Sequence, residues 1–172
     1  MNAEDKVINE FVENALYRLD QSTRMIGIAF MQIEEQDIWK RPNEASNSIG
    51  NQILHLCGNM TQYVISSFGE TKDIRERDIE FDTLSGLNKA ELLKKLIDTV
   101  NRAKEVIVNA TTEQWTKKRA VQGFYFSGIG VVLHAVEHYS YHTGQIAFWV
   151  KQLKNRELGF YEGTDLNIKN KD

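Results

Sequence analysis

The chain has 172 residues, of which 41% are hydrophobic and 26% charged, and its formal net charge is −3. This length predicts one domain with a sizeable core, and the absence of a long basic run gives no reason to expect a nucleic-acid partner. The early charges Glu4, Asp5 and Lys6 do not fit a signal peptide, and the longest uncharged stretch (45–69) is too polar to span a membrane. The single cysteine cannot form an internal disulfide. We therefore expect a cytoplasmic protein.

The spacing of apolar residues predicts four long helices. Ile8, Phe11 and Ala15 begin a 3.6-residue period in the first of them, and Pro42 marks the break before the second. Either Asn47 or Ser48 can cap the second helix. The predicted helices run over residues 5–36, 48–68, 88–110 and 127–154.

The connections between these helices are also distinctive. Residues 69–87 are charged and irregular, which predicts a long crossover between helices two and three. Asn88 and Glu91 resemble a capping box, and Ser127 can start the fourth helix after a turn with a short extended piece at 124–126. From about residue 159 the chain is polar and is expected to wrap the surface or fray. Residues 1–172 therefore predict a single all-α domain, a four-helix bundle with a crossover.

Three of the four histidines lie four residues apart in one short segment, at His134, His138 and His142. On a helix, side chains at i and i+4 share a face, so an imidazole pair at this spacing can hold one divalent metal. His55, in the second helix, can supply a third ligand across a helix–helix interface. Three imidazoles leave one position of a tetrahedral metal open, as in catalytic sites.

Other polar residues near these histidines have competing interpretations. His134 is either a residue that supports the site or faces the substrate, or a structural histidine, and we favour the structural role. Asn59 and Gln145 lie one turn from His55 and His142, where they can support the ligands or join helices. Cys57 is expected to be a buried, inert thiol that points away from the metal face.

The crossover carries Arg75, Arg77 and Glu80. A run of charges is most often a solvated loop. Alternatively, Arg75 and Arg77 bind an anionic substrate or a thiol cofactor, because the forked donors of arginine suit carboxylates.

Four segments of the sequence resemble the DinB/YfiT-like superfamily, in particular a branch of unknown function. The resemblance covers residues 5–155, and its most specific parts are the histidine of helix two and the run from His138 to Ile146. The four segments are Trp39-Lys-Arg-Pro42, Asn47-Ser-Ile-Gly-Asn-Gln-Ile-Leu-His55-Leu-Cys-Gly-Asn59, Arg75-Glu-Arg-Asp-Ile-Glu80-Phe81 and His138-Tyr-Ser-Tyr-His142-Thr-Gly-Gln145-Ile.

This resemblance implies a four-helix bundle, a homodimer, and nickel or zinc bound by His55, His138 and His142. Better-understood members use thiols, as mycothiol-linked isomerases and bacillithiol S-transferases do. The sequence therefore predicts a metal-dependent enzyme that acts on a small molecule with a low-molecular-weight thiol, most like an S-transferase. A metal-dependent hydrolase and a non-catalytic metal-binding stress or interaction protein are the alternatives.

Overall fold

Four long helices carry the core of the computed structural model, which describes residues 3–170. The first half of the chain contains α1 (Ala3–Met31), a 3-10 turn (Glu35–Asp37), α2 (Ile49–Met60) and its direct π-helical continuation (Thr61–Phe68). The second half contains α3 (Arg77–Asp82), α4 (Lys89–Val108), α5 (Thr112–Thr116), an antiparallel hairpin of β1 (Arg119–Val121) and β2 (Phe124–Phe126), and α6 (Gly128–Lys154).

The long helices form a bundle in which α1 and α2 occupy opposite corners. Among the long helices, each of these two packs against both α4 and α6, and α2 also packs against α3. All four contribute fully buried apolar side chains to one core, including Leu19, Ile53, Leu96 and Val132. The predicted all-α bundle is thereby confirmed, and α2 faces α6 along the surface where the histidines meet.

The helix starts follow the predicted capping residues. Ser48, rather than Asn47, caps α2 by accepting a hydrogen bond from the Asn51 amide at 3.1 Å. Asn88 and Glu91 form the predicted capping box, and the Ser127 hydroxyl accepts from the Gly130 amide at 3.2 Å. These caps fix where α2 and α6 begin and hence the phase of their histidines.

The end of the first helix differs from the prediction, since α1 stops at Met31 and not at residue 36. Glu34 is extended, and its amide donates to Asp37 Oδ2 at 3.0 Å, which opens a new turn. Ile33 and Ile38 are both buried in this turn. Their burial continues the apolar pattern beyond the helix, which is why periodicity alone overestimates its length.

The crossover is more ordered than its composition predicts, because it contains α3 and is attached to α2. The side-chain amide of Asn51 donates from Nδ2 to the carbonyl oxygens of Glu80 at 3.0 Å and Thr83 at 2.6 Å. Arg41 Nη2 donates to the Phe81 carbonyl at 2.6 Å. These contacts bring Glu80 against the middle of α2.

The two remaining irregular segments also have defined structure. Residues 111–126 form α5 and the small hairpin, whose two turn residues, Gln122 and Gly123, both have positive φ. Beyond α6 the chain runs over the surface with Leu158 buried, and Arg24 donates to the Phe160 carbonyl at 2.9 Å. Within residues 3–170, no helix is both long and apolar enough to cross a membrane.

Candidate metal centre

Three histidines from two helices meet at the interface of α2 and α6. His55 lies on α2, and His138 and His142 lie one turn apart on α6. One nitrogen from each ring lies within 4.8 Å of one from each of the others, and the Nε2 atoms of His55 and His138 are 3.0 Å apart. The structure thus brings together the three residues that the sequence analysis proposed as metal ligands.

This arrangement fits a divalent cation. Two imidazole nitrogens bound at about 2.0–2.1 Å to a tetrahedral zinc ion lie about 3.3 Å apart, so only small side-chain rotations separate the present geometry from coordination. His55 and His142 are 6% and 9% exposed, which keeps most water away from their rings. Three neutral imidazoles leave at least one coordination position for a thiol, water or substrate.

His55 is oriented by a buried carboxylate from the crossover. Its Nδ1 lies 2.9 Å from Glu80 Oε2. Because an ionised carboxylate only accepts hydrogen bonds, Nδ1 carries the proton, and in a neutral ring this leaves the lone pair on Nε2, the nitrogen that faces His138. Such a carboxylate–histidine pair is the usual support for a metal ligand.

Glu80 is itself held by Arg75. The guanidinium donates to both carboxylate oxygens, from Nε at 2.7 Å and from Nη2 at 2.8 Å, and Nη1 donates to Gln62 Oε1 at 2.9 Å. Burial on its own would raise the pKa of Glu80, but the hydrogen bonds from Arg75 and His55 outweigh it and hold that pKa below its usual value. Glu80 is therefore an ionised acceptor at neutral pH.

Gly58, one turn after His55, makes room for this ion pair. A Cβ at this position would fall on Glu80 Oε1 and would lie 2.7 Å from Glu80 Cδ and 2.9 Å from Arg75 Nε. Any larger residue therefore requires the carboxylate to move away from His55.

The two ligands on α6 have a different environment. Burial, and next the His142 and His55 rings, lower the pKa of His138 to about 3. Burial and the His55 ring lower the pKa of His142 to about 4. Their Nδ1 atoms are buried without a hydrogen-bond partner in the part of the chain that the structure describes. Both rings are thus neutral at physiological pH, which is the form that binds metal.

His134 lies outside the group of three. Its ring stacks on Tyr63 with centroids 4.1 Å apart, and its Nε2 is 3.3 Å from the Asn59 amide nitrogen. Asn59 therefore joins α2 to α6 through His134. Burial lowers the pKa of His134, so this ring too is neutral. These contacts agree with the structural role favoured for His134.

The remaining candidates are placed as follows. Arg77 is exposed and stacks on Phe81, 4.7 Å from the ring centroid, and Phe81 in turn covers His55. The binding of a thiol or an anionic substrate by Arg75 and Arg77 stays a prediction. Cys57 is buried, and burial raises its pKa to about 11, which suits an inert thiol.

The role of Glu80 was missed by the sequence analysis, which treated it as part of a charged loop. A signal was nevertheless present. Gly58 interrupts a helix at the position three residues after His55, on the same face, and a helical glycine often marks a close approach by another group. No pattern in the sequence indicated that this group was Glu80.

Comparison with known proteins places the fold. A model of the family described as "Protein of unknown function (DUF1572)" matches residues 6–161. No curated protein matches the sequence. Among solved structures, the chain is similar to a DinB-like protein (YjoA) from Bacillus subtilis, with 17% sequence identity and a TM-score of 0.65. The similarity covers 88% of this chain and 96% of that one, and it shows a shared fold.

Proposed function

Since the chain belongs to the DUF1572 family and has a DinB-like fold, we propose that it is a metal-dependent enzyme with thiol S-transferase-like activity. The observation that carries the proposal is the convergence of His55, His138 and His142, with one ring oriented by a buried carboxylate. Three imidazoles around one point, one of them supported by a carboxylate, form a donor set that suits a divalent metal.

The residues of the site have two different roles, metal binding and support of a metal ligand. His55, His138 and His142 would hold the ion, while Glu80 fixes the ring of His55 in the tautomer that leaves Nε2 unprotonated. A bound divalent ion of this kind supplies Lewis acidity that lowers the pKa of a thiol or water into the neutral range. Nickel and zinc both suit imidazole ligands.

The reaction we propose is transfer of a small thiol to an electrophile. The thiol loses its proton to solvent, its sulfur forms a bond to the electrophilic carbon, and the leaving group departs with the electron pair of the broken bond. The thiol-dependent chemistry of DinB/YfiT-like relatives supports this choice over hydrolysis.

Metal analysis of protein purified without a histidine tag tests the site. We expect one divalent ion per chain in the wild type and a large loss in His55→Ala, His138→Ala and His142→Ala. His134→Ala is the matched control, because it removes an imidazole from the same helix face but not from the group of three. Full metal content in His55→Ala would show that α2 supplies no ligand, and this result would contradict the proposed site.

A kinetic assay tests the reaction. Metal-loaded protein should accelerate conjugation of a low-molecular-weight thiol with a chromogenic aryl halide, and His138→Ala should not. A chromogenic ester, assayed in parallel, tests the hydrolase alternative. Turnover of the ester without any thiol would contradict the transferase, and turnover of neither would favour a non-catalytic metal-binding protein.

We also propose that the protein is a homodimer. Val7 on α1 is 70% exposed and Ile129 on α6 is 40% exposed, and both line a cleft beside the buried Trp115. A symmetric contact between two copies would cover these apolar side chains. This surface lies at the start of α1 and α6.

A further inference from the structure

A groove of about 750 Å³ lies between α6 and the segment from Pro42 to Gln52. Its volume is in the range of small-molecule sites. Twelve of the described residues line it, and none of them carries a charge, although 26% of the chain is charged. A charged ligand would therefore gain no ion-pair partner from the residues that line the groove.

The groove adjoins the metal centre. Gln52 lies one turn before His55 on α2, and Gln145 lies one turn after His142 on α6. Tyr141 also lines the groove, and its ring meets the ring of His142 edge-on with centroids 5.1 Å apart. A molecule in the groove would thus lie about one helical turn from His55 and His142, which do not themselves line it.

Aromatic rings form the outer wall. Phe148 and Tyr141 are 65% and 63% exposed, which is unusual for large apolar side chains that lie so close together. The Trp149 ring is fixed in place because its indole N–H donates to the Lys40 carbonyl at 3.2 Å. Exposed and fixed rings of this kind suit a flat, apolar ligand.

Gly144 leaves the floor of the groove open between these rings. A Cβ at this position would meet no atom of the described chain within 4 Å. The space belongs to the groove, so a side chain introduced here fills the groove without displacing protein atoms.

We propose that this groove binds the electrophilic substrate, and that this substrate is an uncharged small molecule with a flat aromatic body. The inference rests on the proposed function for the role of the ligand, but the binding itself does not require the metal. The uncharged lining and the aromatic wall determine its specificity.

Binding of three molecules of similar shape and different charge tests the proposal: benzamide, benzoate and benzylamine. The measurement is ligand-observed NMR titration of metal-free protein, so that a failure of the metal site leaves the result interpretable. We expect benzamide to bind at least tenfold more tightly than either charged molecule. Equal affinity for benzoate or benzylamine, or no detectable benzamide binding at millimolar concentration, would overturn the proposal.

Two variants locate the binding. Gly144→Leu should abolish benzamide binding and retain the metal content of the wild type, while Gly27→Leu is the matched control, since a Cβ at that helical glycine also meets none of the described atoms within 4 Å. Phe148→Ala should weaken benzamide binding, because it removes an exposed ring of the aromatic wall. If benzamide still binds to Gly144→Leu, its site lies elsewhere. If benzamide does not bind to the wild type and Gly144→Leu changes the molecular mass of the protein in solution, the groove is a protein–protein contact instead.

Discussion

Replacing Glu80 with glutamine perturbs the site without touching a metal ligand. In the wild type the carboxylate accepts one hydrogen bond from His55 at 2.9 Å and two from Arg75 at 2.7 and 2.8 Å. Glutamine has nearly the same shape but only one accepting oxygen, so its NH₂ group must face either the guanidinium or the His55 N–H. Loss of such an outer carboxylate typically lowers metal affinity about 10–100-fold, or about 1.4–2.7 kcal/mol.

The same substitution also leaves a buried charge without its partner. The Arg75 side chain is 3% exposed and that of Glu80 is 9% exposed. Removing one member of a buried ion pair commonly costs about 3–5 kcal/mol of folding stability. The double variant Glu80→Gln, Arg75→Met separates the two effects, because it removes the unpaired charge as well. We expect it to recover most of the stability but not the metal affinity.

Competition with a chromophoric chelator measures the zinc affinity, and urea unfolding of metal-free protein measures the stability. The informative comparison is between the double variant and the wild type. If the double variant binds zinc as tightly as the wild type does, the carboxylate does not support His55, and the ion pair serves only to attach the crossover.

Three further predictions follow from the same structure. Gly58→Ala should push the Glu80 carboxylate away and lower zinc affinity about tenfold or more, while Gly27→Ala should leave affinity unchanged; equal affinities in both variants would contradict the role of Gly58. The metal-free protein should lose stability as pH falls below about 6.5, because unfolded His138 and His142 take up protons there, whereas their folded pKa values are about 3 and 4. The stability that these two neutral rings preserve is fully present above pH 6.5, and below it the free energy of unfolding falls by up to about 1.4 kcal/mol per pH unit for each ring. The same free energy of unfolding in urea at pH 7.5 and pH 5.5 would refute this prediction. Light scattering at micromolar concentration should give twice the 19.8 kDa mass of one chain, and a single-chain mass would count against the homodimer.

The parts of the fold that follow from local patterns were predictable. The caps at Asn88 and Ser127 are short-range hydrogen bonds, so residue type and spacing are enough to place them. For α2 they narrow the choice to Asn47 or Ser48, and the structure has Ser48. The same holds for the pair of histidines on α6, since helical spacing alone puts them on one face. Placing the third histidine required the family resemblance, because nothing local relates α2 to α6.

What the sequence could not show depends on contacts between distant segments. Glu80 reaches His55 only because Asn51 and Arg41 attach the end of α3 to α2, over about thirty to forty residues of chain. The groove depends in the same way on how the segment after Pro42 faces α6. In both cases no local sequence pattern marks the residues, and their role depends on which distant segments the fold brings together.

The carboxylate behind His55 comes from the crossover, and this has a consequence for how fast a metal exchanges. Two apolar side chains of this segment, Ile74 and Ile79, are 74% and 57% exposed, so hydrogen bonds and the buried Arg75–Glu80 ion pair, more than hydrophobic burial, hold the crossover against α2. Segments of this kind open locally far more often than a whole domain unfolds. Each opening would remove Glu80 from His55 while the bundle stays intact. We expect the lifetime of a bound ion to depend on the opening of this one segment as well as on the stability of α2 and α6, which carry the ligands.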